Sequence, residues 1–98
     1  MSVIRGGADR GKALECATFL ALRRRCDEVC YWRGGGPGEG EVDFVVQAGE
    51  RLVPILVSWD GLTERHERAL AAFFEVFPTA GEPVVVTAAG FEAAVAGV

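Results

Sequence analysis

At 98 residues and 10.4 kDa the chain makes one domain and leaves no room for a second. Half of its residues are hydrophobic and its mean hydropathy is +0.23, which excludes wholesale disorder; no apolar run approaches the ~18 residues of a membrane span. The formal charge of −4 argues against a dedicated nucleic-acid binder, although residues 1–33 carry seven Lys/Arg against four Asp/Glu and residues 34–98 carry three against ten.

The opening MSVIRGG lacks the apolar stretch of a signal peptide, so the expected compartment is the cytoplasm. Residues 1–10 read as a flexible N-terminal segment, and 11–98 as the domain. Residues 11–26 are dense in helix formers, with Leu14, Ala17, Phe19, Ala21 and Leu22 as the apolar stripe. Arg23, Arg24 and Arg25 close this helix, where cations complement the macrodipole. With Arg33 they are also the candidate nucleic-acid contacts. EVCYWR, 28–33, is β-branched and aromatic and reads as a strand. GGGPGEG, 34–40, is a turn.

Strands at 41–47 and 52–58 follow, joined as a hairpin through AGER. Pro54 is an objection, because proline is confined to edges, bulges or strand starts. Residues 62–77 form a second helix, with Thr63 as N-cap, Leu62 as a hydrophobic staple, Glu64 and Arg68 paired, and Leu70, Phe73, Phe74 and Phe77 inward. His66 is expected to be a half-buried helix residue beside Leu70. Pro78 ends the helix, 82–88 is a strand covered on both faces, and FEAAVAG is a terminal helical turn or two. The order is αβββαβ(α), an α/β (α+β) arrangement of a mixed sheet flanked by helices.

Gly6 to Ala13 nearly spells a phosphate-binding loop, but Ala13 supplies no hydroxyl for magnesium and no nucleotide-binding sheet precedes it. ATP binding by these residues is rejected. Cys16, Cys26 and Cys30 contain no CxxC, and His66 is the only histidine, so a structural zinc site is not expected. Two of the three cysteines are expected in apolar surroundings as reduced thiols. Trp32 and Trp59 are read as covering the margin of the core, or as anchors of a protein interface.

Asp43 is the residue where chemistry could sit; the alternative is an edge-of-sheet aspartate that hydrogen-bonds a turn or an arginine. Strict alternation places Val42, Phe44 and Val46 on one face of their strand and Glu41, Asp43, Val45 and Gln47 on the other. A carboxylate interrupting an apolar strand is costly unless it is paired, hydrogen-bonded or metal-bound.

GKALECATFLALRRR, CYWR, GEVDFVV and RLVPILVS, in that order, resemble the C-terminal domain of unknown function of bacterial and archaeal AAA-type ATPases, a group within the PD-(D/E)xK nuclease superfamily. The resemblance spans roughly residues 11–88 and implies a restriction-endonuclease-like core. It matches the superfamily's helix glutamate to Glu15 and its second-strand aspartate to Asp43. The third-strand Glu-x-Lys falls on Leu56 and Ser58, and a further helix glutamate on Ala21. Such nucleases hold Mg²⁺ with clustered carboxylates, and the ion activates water and stabilises charge on the phosphate. Here a carboxylate and an ammonium are missing, with Glu41 and Asp60 as candidate replacement ligands. The expected function is therefore a non-catalytic nuclease-fold module for binding or assembly, without cofactor, partnered by a protein or by an upstream ATPase domain. Two readings stay beside it: a Mg²⁺-dependent DNA nuclease using Glu15 and Asp43 as metal ligands, and a homodimeric interaction domain.

Overall fold

The computed structural model describes residues 6–34 and 40–98. Its elements are α1 (Gly6–Arg25), β1 (Val29–Arg33), β2 (Glu41–Ala48), β3 (Arg51–Val57), α2 (Glu64–Val76), β4 (Val84–Val86) and α3 (Phe91–Ala96). The strands form one sheet in the order β1-β2-β3-β4, antiparallel except for the parallel pair β3–β4. This is the mixed, helix-flanked sheet that the order of elements predicts. Between its ends, Gly34 and Gly40, the glycine-rich turn lies outside the described residues, as do residues 1–5. Among the described residues no helix is long and apolar enough to cross a membrane.

Each face of the sheet carries its own apolar layer. Leu14 and Leu22 of α1 pack with Val46, Ile55 and Val86, and Phe91, Ala94 and Val98 close that side. Leu70 and Phe73 of α2 pack with Val42, Val45 and Leu56, sealed at the margin by Trp32, Phe74 and Phe77.

Helix α1 starts at Gly6 rather than at Gly11, so the second half of the segment expected to be flexible is helical. The stretch resembling a phosphate loop is therefore helix. Its inward stripe is narrower than expected: Leu14, Thr18 and Leu22 are buried, at successive four-residue steps, while Ala17 and Phe19 face outward. Thr18 tolerates burial because its hydroxyl donates to the Leu14 carbonyl at 2.7 Å. Arg25 donates from Nε to the Val98 carbonyl at 3.3 Å and from Nη2 to that of Ala96 at 3.0 Å. Those contacts place a cation where the terminal carbonyls of α3 have no helical partner.

Residues Gly49 and Glu50 make a two-residue turn, with Gly49 at φ +64°, the conformation glycine adopts without steric cost. In the ladder leaving this turn, Ala48–Arg51, Val46–Val53 and Phe44–Ile55 are the hydrogen-bonded pairs. Pro54, opposite Val45, needs no N–H toward β2, and the ladder to β4 begins one residue later at Ile55–Val84. A proline in a central strand thus loses no bond.

The strict alternation expected of β2 fails at one place. Cys30 pairs with Val45 but Trp32 pairs with Val42, so Asp43 and Phe44 together oppose Tyr31. This is a β-bulge, and it shifts the pleat by one residue. Val42 consequently joins Val45 in the α2 layer, whereas Phe44 and Val46 face α1.

Three smaller expectations are corrected. Leu62 is 47 % exposed and makes no staple, because the residue it would meet one turn on is Glu67. Glu64 and Arg68 form no ion pair; among the described residues that contact is Arg33–Glu41. Cys16 and Cys30 are exposed, and only Cys26 packs against the core.

Candidate functional site

The bulge aims the Asp43 carboxylate along the sheet rather than to one face. Its Oδ2 accepts the Val57 N–H at 2.7 Å, standing in for a main-chain carbonyl where the ladder of β2 and β3 is interrupted. Asp43 is half-buried and lines a cleft of about 450 Å³ with Glu41, Thr63, Arg65 and His66. Gly40 brings the start of β2 close to α2: its φ is +79°, and a Cβ there would lie 3.1 Å from that of Ala69. Only glycine fits both conditions.

His66 is positioned by the cap of α2. Thr63 N–H donates to His66 Nδ1 at 3.0 Å, and the His66 N–H donates back to Thr63 Oγ1 at 3.4 Å. This is a capping box with histidine in place of the usual Glu or Gln. The Thr-x-x-His spacing was visible in the sequence and marks His66 as a capping residue, a role beyond that of a helix residue beside Leu70.

Burial pushes the Asp43 carboxyl above the usual aspartate range. The Val57 N–H and His66 oppose this, and Glu15 and Glu41 add to it. The folded chain therefore holds this proton more tightly than the unfolded chain does. Stability falls as pH rises through the window between the ordinary and the raised value, and the penalty is fully present above that window. Asp43→Asn keeps an acceptor for Val57 and removes the charge. Its expected effect is a higher melting temperature at pH 7 and a flatter stability profile as pH rises above the ordinary aspartate range, read by thermal melting across pH; a lower melting temperature at pH 7 would contradict this assignment.

The other carried-over positions do not converge on Asp43. Glu15 sits on the exposed side of α1, beside Lys12, Cys16, Phe19 and Phe44, near enough for its charge to be felt at Asp43. Leu56 has no exposed surface and lies in the opposite layer with Val42 and Phe73. Ser58 Oγ donates to the Gly61 carbonyl. Ala21 faces partly outward from α1, and Asp60 is exposed beyond β3.

Magnesium needs oxygen ligands in near-octahedral order and is commonly held by one or two carboxylates plus substrate phosphates. In this site one oxygen of Asp43 is committed to Val57, Glu15 belongs to the other layer, and the third-strand position is core. Among the described residues, no three His, Cys, Asp or Glu side chains gather in a way that could hold a metal ion. The described donors are too few to hold the ion without a substrate's phosphates.

Arg23, Arg24 and Arg25 lie exposed together in the last turn of α1, and Arg33 stands apart from them. Arg25 is engaged with α3, Arg23 donates to the Asp27 carbonyl at 3.4 Å, and Arg33 pairs with Glu41 at 3.3 Å at the far end of β1. Trp32 stacks edge-on against Phe73 at 5.4 Å, and Trp59 lies under the Arg10 guanidinium at 5.7 Å. Trp32 is a core-margin residue, whereas Trp59 remains 37 % exposed.

Four strands in one mixed sheet, a helical layer on either face and a bulged aspartate at a cleft of mixed charge define an α/β domain built around β2 and β3. The chain belongs to a family described as a domain of unknown function, DUF4143, whose pattern it matches over residues 10–95. Comparison with curated proteins and with solved structures gives no match.

Proposed function

We propose that the chain is a catalytically silent module on a nuclease-like frame, serving binding or assembly, of the kind its sequence resembles at the C-terminus of AAA-type ATPases. The observation that carries this reading is Leu56, which fills the α2 layer at the position where the PD-(D/E)xK pattern places a metal-binding glutamate. Ser58 supports it, since a neutral hydroxyl bonded to a main-chain carbonyl neither holds a divalent ion firmly nor offsets charge on a phosphate. The formal charge of −4 favours a protein partner, such as an ATPase domain, over nucleic acid.

The test is thermal melting with and without millimolar Mg²⁺ or Mn²⁺, run beside nicking of supercoiled plasmid. An ion present at a hundred times its dissociation constant adds about 2.7 kcal/mol, which moves the melting of a domain this size by about 10 °C or more. The expected results are unchanged melting and intact plasmid. A rise of that size, with nicking abolished by Asp43→Asn, would overturn the proposal in favour of a metal-dependent nuclease.

A further inference from the structure

The two edges of the sheet differ in how they meet solvent. β4 is three residues long, and short edges template little pairing. β1 is five residues, Val-Cys-Tyr-Trp-Arg, without proline or lysine. Tyr31 on it is 72 % exposed, and among the described residues no strand pairs with its outer side. The polar groups of that side can be assigned. Val46 bonds toward β3, so Val45 bonds toward β1 and Cys30 answers it; Val29 and Tyr31 therefore point their N–H and C=O groups outward. Charges flank the strand with opposite sign, Asp27 before it and Arg33 at its end, both exposed.

We infer that two copies of the chain join edge to edge through β1, antiparallel, about a two-fold axis at Cys30, continuing the sheet from one protomer into the other. A two-fold axis normal to the sheet keeps each residue on its own face, so paired residues must be an even number apart. With the axis at Cys30, Val29 and Tyr31 exchange main-chain bonds with their symmetry mates, and the bend that carries Asp27 comes beside Arg33 of the second copy twice. Moving the axis to Tyr31 sets Val29 opposite Arg33 and loses both charge pairs. Complementarity of charge therefore selects the register. Glu41 engages one nitrogen of Arg33, which leaves the rest of a five-donor guanidinium free for Asp27 of the second copy. This inference does not depend on whether the Asp43 cleft retains chemistry.

Sedimentation velocity of the 98-residue chain at micromolar concentration is expected to show a monomer–dimer equilibrium. Asp27→Lys should weaken the dimer about tenfold, because symmetry counts each altered contact twice. Arg33→Asp should do the same, and the double swap should restore the parent affinity. Both sites are exposed, and melting of each variant separates folding from association. In the dimer the two Cys30 residues form a non-hydrogen-bonded pair, whose Cα atoms lie about 4.5 Å apart, within disulfide reach. The hydrogen bond to Glu28 raises the Cys30 pKa, so cross-linking is run at alkaline pH, with diamide taking up the two electrons and two protons released. Cross-linking should persist in Cys16→Ser/Cys26→Ser and vanish in Cys30→Ser. A strict monomer, a dimer indifferent to Asp27→Lys, or cross-links only through Cys16 or Cys26 would each overturn the inference.

Discussion

Glutamate in place of Leu56 is expected to unfold the domain rather than rebuild a metal pocket. Leu56 has no exposed surface, lies beside Val85 of β4 in the parallel ladder, and packs with Val42, Val45, Leu70 and Phe73. Losing a buried leucine side chain costs about 2–5 kcal/mol. Burying an unpaired carboxylate in its place adds several more, against a total stability of about 5–15 kcal/mol for a domain. Circular dichroism should show the cooperative thermal transition of the parent lost or shifted down by tens of degrees. Adding Ser58→Lys should not rescue it, since Glu15 remains in the opposite layer. A Leu56→Glu/Ser58→Lys chain that melts like the parent would show that the α2 layer accepts a carboxylate.

The second large effect is expected at Phe73. It is fully buried, with Trp32, Phe74 and Phe77 around it at centroid distances of 5.4, 5.8 and 4.9 Å. Phe73→Ala should cost about 3–5 kcal/mol in urea unfolding. Phe19 contrasts with it: 40 % exposed and against Phe44 alone at 5.9 Å. Its truncation should cost about 1 kcal/mol or less, the scale of one exposed aromatic pair. Equal losses at the two positions would contradict the assignment of α2 as the anchored layer.

What the sequence made legible was the order of elements and most of the inward residues of α2, because helix periodicity and the Thr63 cap are local signals. The start of α1 was hidden. Its glycines read as loop by propensity, and the contact that holds the turn after them, Arg10 over Trp59, spans about half the chain. The bulge was hidden for another reason. Alternation assumes an unbroken pleat, and nothing in Val-Asp-Phe marks where an extra residue enters. Asp43 therefore stood out as a carboxylate in need of a partner, while the partner itself, a main-chain N–H fourteen residues on, depended on register. Leu56 was legible as a departure from a pattern, but its packing opposite Glu15 required the fold.

The most direct measurement is diffraction from crystals soaked in Mn²⁺, with data collected to record the anomalous signal of the ion. The account predicts no manganese peak within bonding distance of Asp43, whose Oδ2 stays on the Val57 N–H. An ion coordinated jointly by Asp43 and Glu15 would contradict it.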